Sequence, residues 1–163
     1  MKQLRGSDLP ALLVSVAVCE AVGIVSALFT TRAIPTWYAT LVKPSFNPPN
    51  WVFGPAWTVL YALMGAAAFL VWRAGLSSSR VRVALALFSV QLALNFAWSW
   101  LFFGIHQPGW AFAEIVALWI AIAATIAAFF GVSRAAGWLM TPYLAWVTFA
   151  AALNLAVWQL NRG

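Results

Sequence analysis

The residues able to do chemistry in this sequence are indoles, phenols and amides rather than acid–base pairs. Trp57, Tyr61 and Gly65 recur every four residues, and so do Gln91, Asn95 and Ser99, with Trp98 beside them. Further along, Trp146, Ala150, Asn154 and Trp158 repeat that spacing, with Tyr143 one turn earlier. Residues four apart share one stripe of a helix. Three helices would then each present aromatic rings, hydrogen-bonding groups and small residues on one face. Such walls suit a flat, amphipathic ligand. A second account of the amides stays open. Gln91, Asn95 and Asn154 can also bond helix to helix, each such bond in a membrane averaging about 0.6 kcal/mol. The 11 tryptophans, more than two interfacial girdles need, favour the pocket.

Conventional catalysis has no visible machinery. The single histidine, His106, falls in a predicted turn, and no His–Cys–carboxylate cluster offers a metal site. No nucleophile–base pair and no glycine-rich phosphate loop is recognisable. Asp8, Glu20 and Glu114 lie too far apart on separate elements to work as a carboxylate pair. Any reaction would use the ligand's own reactivity and the tryptophans. No cofactor is required.

The elements that must position these groups follow from composition. Of 163 residues, 64% are hydrophobic and only 7% charged, against about 25% charged in an ordinary soluble domain. So few charges could not solvate a globule of this size, and so many aromatics argue against disorder. The net charge of +6 comes from basic residues scattered between apolar blocks, which fits a topogenic role and excludes a nucleic-acid stripe. One cysteine, Cys19, permits no internal disulfide. This composition is that of an integral, multi-pass membrane protein in contact with a lipid bilayer.

A crossing helix needs about 20 mostly apolar residues. Five blocks meet that need, at about 9–29, 51–72, 83–105, 110–130 and 135–160, giving an all-α, five-helix membrane bundle in one domain, 1–163. Lys2 and Arg5 precede the first block and Val25-Ser26-Ala27 resembles a cleavage site. The stretch is nonetheless too long for a signal peptide and contains Glu20, so it is read as a retained span. Glu20 falls about halfway along that span, where a carboxyl is expected to be neutral or paired. Glu114, near the start of the fourth, is expected near an interface, hydrated or at the helix N-terminus.

The one long connection, 30–50, holds Pro35, Pro44, Pro48 and Pro49 with Trp37, Tyr38 and Phe46 among them. Proline stiffens such a loop. It is either a cover over a functional site or an aromatic belt at the headgroups. With five crossings, Lys2, Arg5, Arg73, Arg80, Arg82 and Arg134 fall on one side, and Arg32, Lys43 and Arg162 on the other. In a bacterial cell membrane this bias puts the N-terminus in the cytoplasm. The lack of a recognisable targeting peptide favours a bacterial source.

The segment Lys43-Pro44-Ser45-Phe46-Asn47-Pro48-Pro49-Asn50-Trp51-Val52-Phe53-Gly54-Pro55-Ala56-Trp57, preceded by Trp37-Tyr38 and followed by Leu60-Tyr61, resembles the signature of the translocator protein family. That family is also called the tryptophan-rich sensory proteins or peripheral benzodiazepine receptors. Gln91 to Trp98, Phe102-Phe103-Gly104, Gly109-Trp110-Ala111 and Pro142 to Trp146 with Leu153-Asn154 extend the likeness in the same order. The resemblance implies a five-helix bundle, often a homodimer, binding porphyrins such as protoporphyrin IX and haem, or lipophilic drugs, in a cavity under the first loop. Three activities are compatible with it: a receptor or sensor, a transporter of porphyrins or other lipophilic molecules, and a light-dependent porphyrin-degrading enzyme.

By this resemblance Trp57 and Trp146 match cavity tryptophans implicated in porphyrin breakdown, and Tyr38, Asn95, Trp110, Ala145 and Ala150 match other cavity positions. With Tyr61, Trp98, Tyr143 and Asn154 from the stripes, these make up the expected ligand site. Cholesterol, a ligand of animal members, is not expected. Its consensus wants a Lys or Arg within five residues after Tyr143, and Leu144 to Thr148 contains none. The spacings Ala93/Ala97 and Ala117/Ala121 permit the close helix contact a dimer uses.

Overall fold

The computed structural model describes residues 8–162. Lys2 and Arg5, counted above for orientation, lie outside the described residues. Five long helices make the bundle: α1 (Leu9–Ala33), α3 (Phe53–Trp72), α4 (Ser79–Ser99), α5 (Pro108–Phe130) and α6 (Arg134–Leu160). A one-turn helix, α2 (Trp37–Thr40), sits in the long loop. Prolines near the starts of α1 and α5 suit positions whose N–H has no intrahelical partner. Ser133 caps α6 by accepting from the Ala136 amide at 3.4 Å.

Several helices run past the apolar blocks. α1 continues to Ala33, and α4 starts at Ser79, taking Arg80 and Arg82 into its first turn. Residues Asn50–Val52 form a 3-10 turn leading into α3. At the other end of α4 the chain widens into a π-helical turn, Trp100–Gly104, closed by the Ile105 amide donating to the Trp100 carbonyl at 2.9 Å. All five segments, Leu9–Ala33, Asn50–Trp72, Ser79–Gly104, Pro108–Phe130 and Arg134–Leu160, are long and apolar enough to cross a membrane.

The helices close into a ring in which α1 packs on α3, α3 on α6, α6 on α5, α5 on α4, and α4 on α1. α1 meets α3 at very short range. A Cβ on Gly65 would stand 2.5 Å from the Val16 Cα, and the Ser15 hydroxyl donates to the Gly65 carbonyl at 2.8 Å. Close backbone approach through glycine is a standard device where lipid supplies no hydrophobic drive between helices. The buried residues of α1 are Cys19, Ser26 and Ala33. They stand seven apart and form a narrow seam. Leu13, Val14, Val18, Ile24, Val25 and Leu28 are exposed, as lipid-facing residues are.

The two ends of the ring differ. Away from the long loop it is filled by Met64, Ala67, Val71, Val81, Ala84, Ile122, Phe129, Ala136 and Met140, each at most 2% exposed. Toward the loop it opens into a cavity.

Candidate functional site

The cavity measures about 390 Å³ and is walled by α1, the loop, α3, the end of α4 with its π turn, and α6. Its aromatic wall starts with Trp57 on α3 and Trp146 on α6, whose rings meet edge to face at 6.3 Å. Phe53 meets Trp146 at 6.2 Å and Trp57 lies 5.7 Å from Tyr61. On the opposite wall Trp98 stacks on Phe102 at 5.4 Å. The four-residue spacing on α3 and α6 is what aims these rings inward together.

Hydrogen bonds hold the wall. The Trp98 indole donates to Asn154 Oδ1 at 3.0 Å, and Asn154 Nδ2 donates to the Pro108 carbonyl at 2.8 Å. Asn95, buried at the floor, accepts from the Tyr61 hydroxyl and donates to the Tyr143 hydroxyl at 2.9 Å. One amide thereby ties α3, α4 and α6 together. The indole N–H groups of Trp57 and Trp146 have no partner among the described residues and remain free for a ligand.

The long loop covers this end of the ring. Tyr38 is 3% exposed, donates to Asn47 Oδ1 at 2.7 Å, and lies against Phe103 at 5.8 Å. Burial pushes its phenol up to about 12. Lys43 sits over the Tyr38 ring at 4.8 Å, and Trp37 stacks on His106 at 4.3 Å. Asn161, just past α6, clamps the loop from below. It accepts from the Val42 amide at 3.0 Å and donates to the Val42 carbonyl at 2.9 Å. Of the two readings of the loop, these ties describe a fixed cover, with Tyr38 and Asn50 in the cavity wall.

Seven of the expected site residues line the cavity: Tyr38, Trp57, Tyr61, Trp98, Trp146, Ala150 and Asn154. Four do not. Asn95 and Tyr143 lie behind the wall at 1% and 0% exposure, their polar atoms spent on each other and on Tyr61. Trp110 is 71% exposed on the outside of α5, a helix that contributes nothing to the cavity lining. Ala145 precedes Trp146 by one residue and so points about 100° away. It falls on an outer apolar groove with Pro55, Pro142 and Phe149.

Two further expectations are corrected. Glu114 is not hydrated near an interface, because α5 begins two residues earlier than its apolar block and both carboxyl oxygens are buried with no hydrogen-bond partner. Gln91, one turn beyond Asn95, is fully buried, and neither end of its amide has a partner.

The largest omission of the sequence reading is α1. Glu20, Gly23, Ile24, Ser26, Ala27, Thr30, Thr31 and Ile34 form a whole side of the cavity. Their spacing of three and four, with small and hydroxyl side chains among them, is the signal that could have found them. Ile24, Ala27 and Thr31 on α1, and Gly54 and Thr58 on α3, line the cavity and are also exposed. The cavity therefore opens sideways between these two helices. Among the described residues no group of three His, Cys, Asp or Glu could hold a metal ion.

Comparison with known proteins places this architecture. Residues 15–159 match the model of the TspO/MBR family. The tryptophan-rich protein TspO of Chlorobaculum tepidum is 45% identical over 150 residues, which cover 92% of this chain and 95% of that protein. The TspO of Archaeoglobus fulgidus is 45% identical over 151 residues, covering 92% and 96%. The human translocator protein is 47% identical over 128 residues, covering 78% of this chain and 76% of its own. With a family match across most of its length and five apolar helices long enough to span a bilayer, the chain is an integral membrane protein that belongs to the TspO/MBR family.

Proposed function

We propose that this protein is a membrane receptor or sensor that binds a porphyrin, such as protoporphyrin IX or haem, or a related lipophilic molecule, and so regulates a tetrapyrrole or stress response. The observation that carries the reading is the aromatic cavity under the tied loop. Its volume lies within the range of about 300–1,000 Å³ usual for small-molecule sites, and Trp57, Trp98, Trp146, Tyr61 and Tyr38 supply flat apolar surface. The free indole N–H groups of Trp57 and Trp146 are donors for a ligand's carboxylate or carbonyl. The sideways opening gives a lipid-soluble ligand a route from the bilayer that avoids the loop. The name of the Cereibacter sphaeroides relative, tryptophan-rich sensory protein, agrees with a sensing role. In this reading the receptor works as a homodimer.

Absorbance-corrected tryptophan quenching by protoporphyrin IX tests it. Wild type is expected to show saturable quenching, weakened by at least several-fold in Trp57→Ala and Trp146→Ala. Non-saturable quenching, identical in all three proteins, would remove the porphyrin site. Light-dependent porphyrin breakdown is a second reading, favoured by the edge-to-face contact of those two indoles in the cavity wall. It requires faster loss of illuminated protoporphyrin IX with wild type than with the double Trp→Phe variant.

A further inference from the structure

Glu20 is the one charged residue of the cavity wall among the described residues. It is the twelfth residue of α1, about 17 Å from the start of that helix, which places it near the middle of the span. A carboxyl at that depth is costly, and such groups mark sites that use them. Two carboxyl groups inside this bundle stand apart in setting: the oxygens of Glu114 are sealed among side chains, whereas Glu20 opens onto the cavity. No ion pair or hydrogen bond engages Glu20 among the described residues, where the ion pair found is Arg73 with Asp8 at the far end of the ring. Its neighbours are Cys19 on its own helix and Tyr61 across from it, whose hydroxyl is already committed to Asn95.

The rest of the wall carries the same electrostatic sign in a weaker form. Aromatic rings present a negative face, and Trp57, Tyr61 and Trp146 stand together in this cavity. A carboxylate beside a group of aromatic faces, in an apolar space, is the set of groups that holds an organic cation. No cationic side chain among the described residues lines the cavity to cancel it: Lys43 lies over the Tyr38 ring, with its ammonium donating to the Leu41 carbonyl at 3.1 Å. The acid stands at the deep end of the cavity with no pairing partner among the described residues, and a cationic ligand would supply one.

We propose that Glu20 makes the deep end of this cavity a recognition site for a lipophilic organic ammonium, the charged nitrogen against the carboxylate and the apolar body along Trp57 and Trp146. The site does not rest on the porphyrin reading, since it needs only the carboxylate and the rings. It gives this chain a ligand class opposite in charge to a porphyrin's carboxylates, and it gives Glu20 a role as a specificity-determining residue.

Three probes with one aromatic body test it: naphthylmethylammonium, naphthylmethanol and naphthylacetate. Each is titrated calorimetrically into the full chain in an uncharged detergent, with empty micelles subtracted. Wild type is expected to bind the ammonium saturably and roughly tenfold or more tighter than the alcohol, and the acetate most weakly. In Glu20→Gln the ammonium and the alcohol should come within about twofold of each other, while Glu20→Asp keeps a preference for the ammonium. Equal affinity of wild type for ammonium and alcohol overturns the proposal, and so does ammonium affinity retained in Glu20→Gln. The wild-type ratio needs no variant, so a misfolded Glu20→Gln, recognised by its circular dichroism melt, still leaves a decisive comparison.

Discussion

Two amides one turn apart on α4 should respond to the same substitution with opposite signs. Asn95 is 1% exposed and joins the Tyr61 and Tyr143 hydroxyls, which are themselves 3% and 0% exposed. Asn95→Leu removes the amide that both phenols bond, leaving Tyr143 with no partner among the described residues and Tyr61 with the Ser26 hydroxyl beside it. A buried hydroxyl left without a partner costs about 1–3 kcal/mol, a cost that Tyr143 would bear in full. Interhelical bonds in membranes measure lower, averaging about 0.6 and reaching about 1.7 kcal/mol, because the unfolded chain in lipid also finds partners. Two bonds on that scale give about 1–3 kcal/mol, which is the expected loss. Gln91 is 0% exposed and bonds to nothing, so Gln91→Leu forfeits no hydrogen bond and removes two unpartnered polar groups from the core. Its expected effect is neutral to stabilising by about 1 kcal/mol. Reversible unfolding of both variants in bicelles, followed by near-ultraviolet circular dichroism, gives the two values. Equal destabilisation would refute the reasoning, since it would show that amide volume rather than hydrogen bonding matters on this stripe.

Other consequences can be checked as directly. Gly65→Ala should lower the melting temperature by several degrees, because the new methyl would stand 2.5 Å from the Val16 backbone and overpacking of that kind costs about 1–3 kcal/mol. Gly54→Ala, with nothing within 4 Å of its Cβ, should leave the melt unchanged or raise it. Burial pushes the Tyr38 phenol up to about 12, against about 10 in an unfolded chain. Its contribution to the closed loop is therefore complete below pH 10 and is lost as the pH rises through about 12. A loop-specific step in proteolysis over that range, absent from Tyr38→Phe, is the expected signature, and the same step in both proteins would exclude the phenol. Trp110→Ala should leave protoporphyrin IX quenching unchanged where Trp57→Ala weakens it, because Trp110 stands outside the cavity at 71% exposure.

The helices and much of the cavity were legible because both are written in local patterns. A span is a run of apolar residues, and Trp57 with Tyr61, or Trp146 with Ala150 and Asn154, share a face by spacing alone. Spacing does not reveal which stripe faces which. Asn95 and Asn154 looked alike as buried amides, yet Asn154 lines the cavity while Asn95 is enclosed by Tyr61 and Tyr143. The distinction depends on the order of helices in the ring, where α6 lies between α3 and α5 although it comes last in the chain. α1 escaped notice for a related reason. Gly23, Ala27 and Thr30 are ordinary residues for a membrane helix, and they become a cavity wall only because Gly65 draws α1 against α3 lower down. Trp110 was placed in the cavity by likeness alone, and the outward face of α5 overrules it.

The division of the ring into a packed half and an open half follows from where the side chains change size. Between the far end and Asn95 the interior positions carry Met64, Ala67, Val71, Ala84, Ile122 and Met140 around Phe129, mostly aliphatic groups of mixed size that can fill a ring of five helices without gaps. Above Asn95 the interior positions carry Trp57 and Trp146, which meet edge to face at 6.3 Å, and Trp98 stacked on Phe102 at 5.4 Å, stiff plates that leave flat space between the two pairs. Plates of this kind can close a cavity only if something stops them from collapsing onto one another. The Tyr61–Asn95–Tyr143 tie does so from below, fixing the separation of α3, α4 and α6, and the Trp98–Asn154–Pro108 tie does so at the side. The loop, held by Asn161 and by Tyr38 with Asn47, does so from above. α1 is held to α3 at cavity level by Ser26 beside the Tyr61 hydroxyl and by Gly23 packed on the Tyr61 ring, so the wall that carries Glu20 parts from α3 only above Tyr61, where Ala27, Thr31, Gly54 and Thr58 are exposed to a ligand arriving from lipid.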